Sequence, residues 1–172
     1  MTDPFHLPSN QALSPLSFDW ELRFARTPTR LACEYWTSRC GDRPMPERAD
    51  LDPVAMRRFT AHVGLIEIRE TAERPVAYFI RRAGSEWEEV YGRMTGRFVH
   101  EFIPPHIEPS WRAVFDAVRT AQKPLRVATR IDFQNKTWLN CEMFVAPLGK
   151  DGQVSMLFMT FAAWTDHAGS AG

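Results

Sequence analysis

The 172-residue chain balances 21 lysines and arginines against 21 aspartates and glutamates, with no block of like charge. Nucleic-acid binders usually carry a basic patch or excess, so DNA and RNA are not expected partners. Apolar residues make up 44%, enough for one core in one domain, and no stretch approaches the ~20 apolar residues of a membrane-spanning helix.

Residues 1–26 are rich in proline, serine and asparagine and hold no sustained period. Their opening, "MTDPFHLPSNQALSPLSF", lacks a positive n-region and a continuous apolar run, so a secretory signal is not expected and a cytoplasmic location is. The segment reads as an irregular arm, although Phe18, Trp20, Leu22 and Phe24 alternate as docking side chains would.

N-terminal helices are expected over 27–64. The first opens at Thr27-Pro28, with threonine as N-cap and proline at the first helical position. Leu31, Ala32, Tyr35 and Trp36 form its apolar stripe, and Gly41 stops it. The prolines of "DRPMPERAD" make a linker. A second helix is predicted from Asp52-Pro53, where Met56, Phe59 and Val63 share a face and Gly64 closes it.

The period then changes. "LIEIRE" (65–70) and "VAYFIRRA" (76–83) are strand candidates around the turn "TAERP". Ser85 and Glu88 have capping-box spacing. Trp87, Val90 and Tyr91 fall on one side of the two turns that follow, and Gly92 supplies the exit. A second short helix near Thr95-Gly96 would bury Phe98 and Phe102 before Pro104 ends it. A longer helix over 108–122 carries the stripe Ile107, Trp111, Val114, Phe115 and Val118.

Three strands finish the chain. In "LRVATRIDF" (125–133), Leu125, Val127, Ile131 and Phe133 alternate with polar residues, so one face is wet. The short "QNK" suggests a hairpin to "TWLNCEMFVA" (137–146). "QVSMLFMTFAAW" (153–164) is apolar on both faces, which puts it at the sheet centre, with the N-terminal helix or a partner subunit as its second cover. Strands segregated around a helical middle give an α+β fold with an antiparallel sheet. A domain over 65–165 and a tail over 166–172 complete the division.

The residues point to no catalytic chemistry. There is no G-x-S-x-G, no phosphate-cradling glycine loop, and no G-x-G-x-x-G after a strand. "HEFIPPH" is not a zinc-binding H-E-x-x-H, because its prolines keep the histidines off one helical face. Glu67, Glu88, Glu89 and Glu142 are scattered and read as solvating charge. Cys33 and Cys40, ~10 Å apart on a helix, are too distant for a disulfide, so these two and Cys141 are expected as buried free thiols, with no metal site. Alternation places one of Arg81 and Arg82 toward the helices. An inward arginine needs an anion or a carboxylate: a small acidic ligand, or a salt bridge to Glu88 or Glu101.

The element order, with "YGRMTGRFVHEF" between second strand and long helix, resembles a PAS domain. More narrowly, "YWTSRCGDRPMPERADLDP", "RRAGSEWEEVYGRMTG" and "KPLRV" resemble a PAS subfamily of bacterial proteins, over residues 30–165. The resemblance implies a five-stranded antiparallel sheet with a helical middle on one face, and a stand-alone regulatory module of bacterial signal transduction, not an enzyme. It implies a cavity lined by Trp87, Tyr91, Phe98, Phe102, Trp111 and Phe115, with Phe79 and Arg81 on the strand beneath. That these aromatics simply fill the core weighs more than a resident ligand; the alternative to the regulatory module is a constitutive interaction or localisation module with a filled core. No cofactor is required. A flavin adduct would need a cysteine within 84–103, and haem an axial histidine on the long helix, where there is none; His100 and His106 are the nearest. A homodimer or a signalling protein is the expected partner, with Leu31, Tyr35 and Trp36 as the candidate surface.

Overall fold

The computed structural model describes residues 16–133 and 137–165. Its regular elements are β1 (Ser17–Asp19), α1 (Thr27–Cys40), β2 (Val63–Arg69), β3 (Ala77–Ala83), α2 (Ser85–Tyr91), α3 (Val99–Phe102), α4 (Glu108–Ala121), β4 (Leu125–Phe133), β5 (Thr137–Lys150) and β6 (Gln153–Trp164). All strand pairings are antiparallel, in the order β1-β4-β5-β6-β2-β3. The class is α+β as expected, with six strands in place of five. The "QNK" turn lies outside the described residues.

Strand alternation builds two cores, one on each face of the sheet. Met143, Val145, Leu157, Met159 and Phe161 face α2–α4. Phe144, Ala146, Leu148 and Phe158 face α1 and the chain that follows it. This explains why β5 and β6 read as apolar on both sides, and it identifies α1 as the second cover. Helix α4 seats its stripe of Trp111, Val114, Phe115 and Val118 in the first core.

The arm contributes the extra strand. Ser17, Phe18 and Asp19 pair with Ala128, Val127 and Arg126 at the sheet edge. The Asp19 carboxylate then accepts the backbone N–H of Glu21 at 2.9 Å and of Arg23 at 3.0 Å, turning the chain toward α1. Three residues are too few to show a strand period, which is why the arm reads as irregular.

The helix predicted from Asp52 does not form. Residues 53–59 are turns, followed by a 3-10 turn at Thr60–His62. A helix there would need Val63 and Gly64 for its last turn, but these pair with Thr160 and Met159 of β6. Asp52 accepts the Val54 N–H at 2.9 Å and donates its own N–H to the Tyr35 hydroxyl at 2.7 Å, which fixes a turn. Met56 and Phe59 are buried all the same, beneath α1.

The expected capping box at Ser85 is also absent. Gly84 is the N-cap of α2, without a side-chain cap, and the Glu88 carboxylate accepts from Thr95 Oγ1 at 3.2 Å. Glycine is required at 84 by close approach: a Cβ there would lie 2.2 Å from the carbonyl oxygen of Ala61.

Candidate functional site

A small cavity lies between the sheet and the helical layer. Ile66, Ile80, Met143 and Met159 form its floor. Trp87 and Tyr91 from α2, Met94, Val99 and Phe102 around α3, Ile103, and Trp111 and Phe115 from α4 form its walls. Its volume is about 20 Å³. A single water needs roughly 10–15 Å³ of such space, and a benzene-binding cavity is roughly 150 Å³. The aromatics therefore fill the core in this conformation. Trp87 donates its indole N–H to the His62 carbonyl at 2.6 Å. Its ring and that of Tyr91 lie 5.5 and 5.7 Å from Phe161.

Tyr91 and Cys141 bring titratable groups into this layer. The Tyr91 hydroxyl is buried without a hydrogen-bond partner, and burial holds its pKa well above the usual tyrosine range. Cys141 is 1% exposed, and burial pushes its thiol up to about 12. Neither is ionised near neutral pH, so neither is poised as a base or nucleophile. The Cys141 shift has a testable sign. From pH 9 to 12 the unfolded chain releases a proton that the folded chain retains, so this group costs about 1.4 kcal/mol of stability per pH unit. Urea unfolding at pH 8, 9.5 and 10.5 is expected to show a shallower alkaline loss for Cys141→Ala than for the parent. Parallel losses would contradict the assignment.

Of the residues expected at the cavity, Trp87, Tyr91, Phe102, Trp111 and Phe115 line it, whereas Phe79, Arg81 and Phe98 do not. Tyr78 and Ile80 take the inward positions of β3. Phe79 is turned away, with the Arg69 guanidinium 3.6 Å above its ring and Phe98 packed edge-on at 5.2 Å. Phe98 belongs to a segment that covers the sheet edge, where Ile80 donates to the Arg97 carbonyl and accepts from the Gly96 N–H. His100 stacks on Phe98 at 5.3 Å.

Both Arg81 and Arg82 are exposed, contrary to strict alternation. Leu65 pairs with Arg82 and Ile66 with Ile80, leaving Arg81 as the extra residue of a β-bulge. Arg81 meets Glu67 at 3.6 Å, and Arg82 donates to Thr60 Oγ1 at 3.4 Å. The partners are therefore neither Glu88 nor Glu101, and the argument for an acidic ligand falls with the inward arginine. Met94, Met143 and Met159, which do line the cavity, were not picked out. On strands apolar on both faces, the sequence does not say which methionine faces which layer.

The candidate docking stripe is also spent internally. Tyr35 and Trp36 are buried against the back of the sheet, and Leu31 packs partly exposed beside them. Trp36 donates its indole N–H to the Pro147 carbonyl at 3.0 Å. Without this cover Phe144 and Phe158 would face water, so Tyr35 and Trp36 form an intramolecular layer.

The same face holds the most heavily bonded carboxylate among the described residues. Glu142 is fully buried. It accepts the backbone N–H of Ala25 at 2.8 Å and of Arg26 at 3.0 Å, the Thr29 hydroxyl at 2.5 Å and Arg126 Nε at 2.8 Å. Arg126 lies 3.7 Å from Asp19 as well. Arg26, not Thr27, is the N-cap of α1 and lacks a side-chain cap; Glu142 from β5 takes the amides of the two residues just before the helix. Reading Glu142 as solvating charge is therefore corrected. Three of its four partners lie more than a hundred residues away in sequence, so nothing local marks it as covered.

Among the described residues, no three His, Cys, Asp or Glu side chains gather as metal ligands, and no helix is long and apolar enough to cross a membrane. All three cysteines are free.

No curated protein matches the chain. Among solved structures, one titled "Structure of an RNA-binding Light-Oxygen-Voltage Receptor" is similar at a TM-score of 0.43 and 15% identity, over 70% of this chain and 36% of that one. The chain thus spans little more than a third of that receptor's length. A family model, PAS_5, described as a PAS domain, matches residues 24–161, from the end of the arm to the last strand. The chain belongs to the PAS domain family.

Proposed function

We propose that this PAS domain is a regulatory module of bacterial signal transduction that acts in the cytoplasm through protein contacts and not through catalysis. The observation that carries the reading is the cavity: about 20 Å³, with a lining of hydrocarbon, aromatic and thioether groups. Such a lining offers packing and no acid–base pair. Chemistry would need groups poised to gain or lose protons near neutral pH, and burial holds Tyr91 and Cys141 far from that.

The contacts are proposed to be those of a homodimer or of a signalling partner, through surface other than the α1 stripe. A second reading, a constitutive interaction module that never takes a ligand, is favoured by the same small volume. Native mass spectrometry of the purified chain, beside a denatured sample and with an absorption scan, tests the proposal. The expected result is twice the chain mass with no small-molecule increment. An increment lost on denaturation would replace the closed core with a resident ligand, and a bare monomer would remove the homodimer.

A further inference from the structure

We infer that a second copy of this chain docks on the sheet edge that carries Phe18 and Trp20. A two-fold axis sets Trp20 of each copy against Ala121 and Pro124 of the other, and Glu21 against Lys123. The inference rests on the homodimer proposed above and gives it a surface.

Among the described residues three large apolar side chains are exposed: Phe18 at 40%, Trp20 at 44% and Val54 at 70%. Single exposed apolar residues are ordinary, whereas neighbouring ones mark a contact surface. Val54 lies in the turns at 53–59, but Phe18 and Trp20 stand together on the edge strand and the turn that leaves it. Phe18 pairs with Val127, whose side chain lies in the first core. Directly paired residues share a face, so Phe18 is on the helical side of the sheet. Trp20 joins it there: with Ala121, Lys123 and Pro124 at the end of α4 it lines an open cleft of about 400 Å³, large enough to take an aromatic side chain.

The turn holds Trp20 outward. The Asp19 carboxylate accepts the N–H groups of Glu21 and Arg23, and Leu22 takes φ 60°, a conformation that costs a residue with a Cβ. A fixed aromatic anchor loses little entropy on docking. The charges on the patch then select the occupant. It carries one acid, Glu21 beside Trp20, and one base, Lys123 in the cleft wall. The Glu21 side chain is 73% exposed, and its 3.0 Å contact with Arg23 is a surface pair, of a kind worth little and readily exchanged. A two-fold contact needs a patch complementary to itself. An acid and a base on one apolar centre meet that need, because Glu21 of each copy then faces Lys123 of the other. A partner of uniform charge would instead repel one of the two. With 21 basic and 21 acidic side chains, two copies meet without long-range repulsion.

The test is sedimentation velocity of the full chain over a concentration series. The parent is expected to dimerise, and Trp20→Ala to weaken the dimer about thirtyfold or more, the loss of an interface hot spot. Lys123→Glu alone and Glu21→Lys alone should each weaken it about tenfold or more by setting like charges together. The double variant should restore it, because each pair is then rebuilt with its signs exchanged. All three positions are exposed, so far-UV circular dichroism should match the parent's throughout. A parent dimer indifferent to Trp20→Ala would overturn this surface and leave the regulatory reading standing. A double variant that stays dissociated would overturn the two-fold arrangement. A monomeric parent that dimerises once residues 2–15 are removed would give the patch to the chain's own start, and one that stays monomeric would give it to a different protein. Either result overturns the inference and the homodimer with it, and leaves the regulatory reading to its signalling partner.

Discussion

Glu142→Ala is expected to cost about 3–5 kcal/mol of folding stability, seen as a lower urea midpoint at unchanged slope. The carboxylate satisfies two backbone amides, one hydroxyl and one guanidinium at once. Deleting it takes the acceptor from the Ala25 and Arg26 amides, leaves the Thr29 hydroxyl only the Arg26 carbonyl, and leaves Arg126 only the longer contact to Asp19. It also removes a negative charge from the start of α1, where the helix dipole favours one. Glutamine, which keeps one acceptor oxygen and sets an amide group among donors, should lose less than alanine and more than a surface change. An alanine variant within about 0.5 kcal/mol of the parent, the range of ordinary surface substitutions, would refute this account of how the arm and α1 are held.

Phe144→Ala is expected to be as damaging, at about 3–5 kcal/mol. The ring is fully buried and sits among Phe24 at 5.7 Å, Phe158 at 6.2 Å and Trp36 at 6.3 Å. Residues from the arm, from α1 and from β6 thus converge on one side chain, and a void there cannot close without moving all three. A double-mutant cycle with Trp36→Ala should return a coupling of about 0.5–1.5 kcal/mol, the range for an aromatic pair. Additive losses would mean that the two rings fill space independently.

How far the sequence spoke depended on the range over which each feature is set. Strands β2 to β6 and helix α4 were legible, because alternation and the Trp111–Val118 stripe are local patterns that tertiary packing then obeyed. The turns at 53–62 were misread as helix because Met56 and Phe59 have helical spacing, while the pairing of Val63 and Gly64 with β6 is decided a hundred residues downstream. The bulge at Arg81 is likewise a matter of how two strands fit, and it reversed the expectation for one arginine. At the cavity, the residues named on α2, α3 and α4 reached the lining, and those named on β3 and before α3 did not. A helical stripe fixes its own inward face, whereas a strand with apolar residues on both sides leaves the choice of face to its neighbours.

The cover on the far side of the sheet has a practical consequence for where this protein can be cut. A boundary at residue 65, natural if the PAS element order alone is followed, removes the arm strand, α1 and the buried turn residues Leu51, Met56 and Phe59. The fragment would keep its helical layer but bare Phe144, Ala146, Leu148 and Phe158 along the middle of the sheet, with Glu142 deprived of three donors. A fragment that keeps this face covered therefore begins no later than Phe24. Such a fragment keeps three layers, helix on sheet on helices.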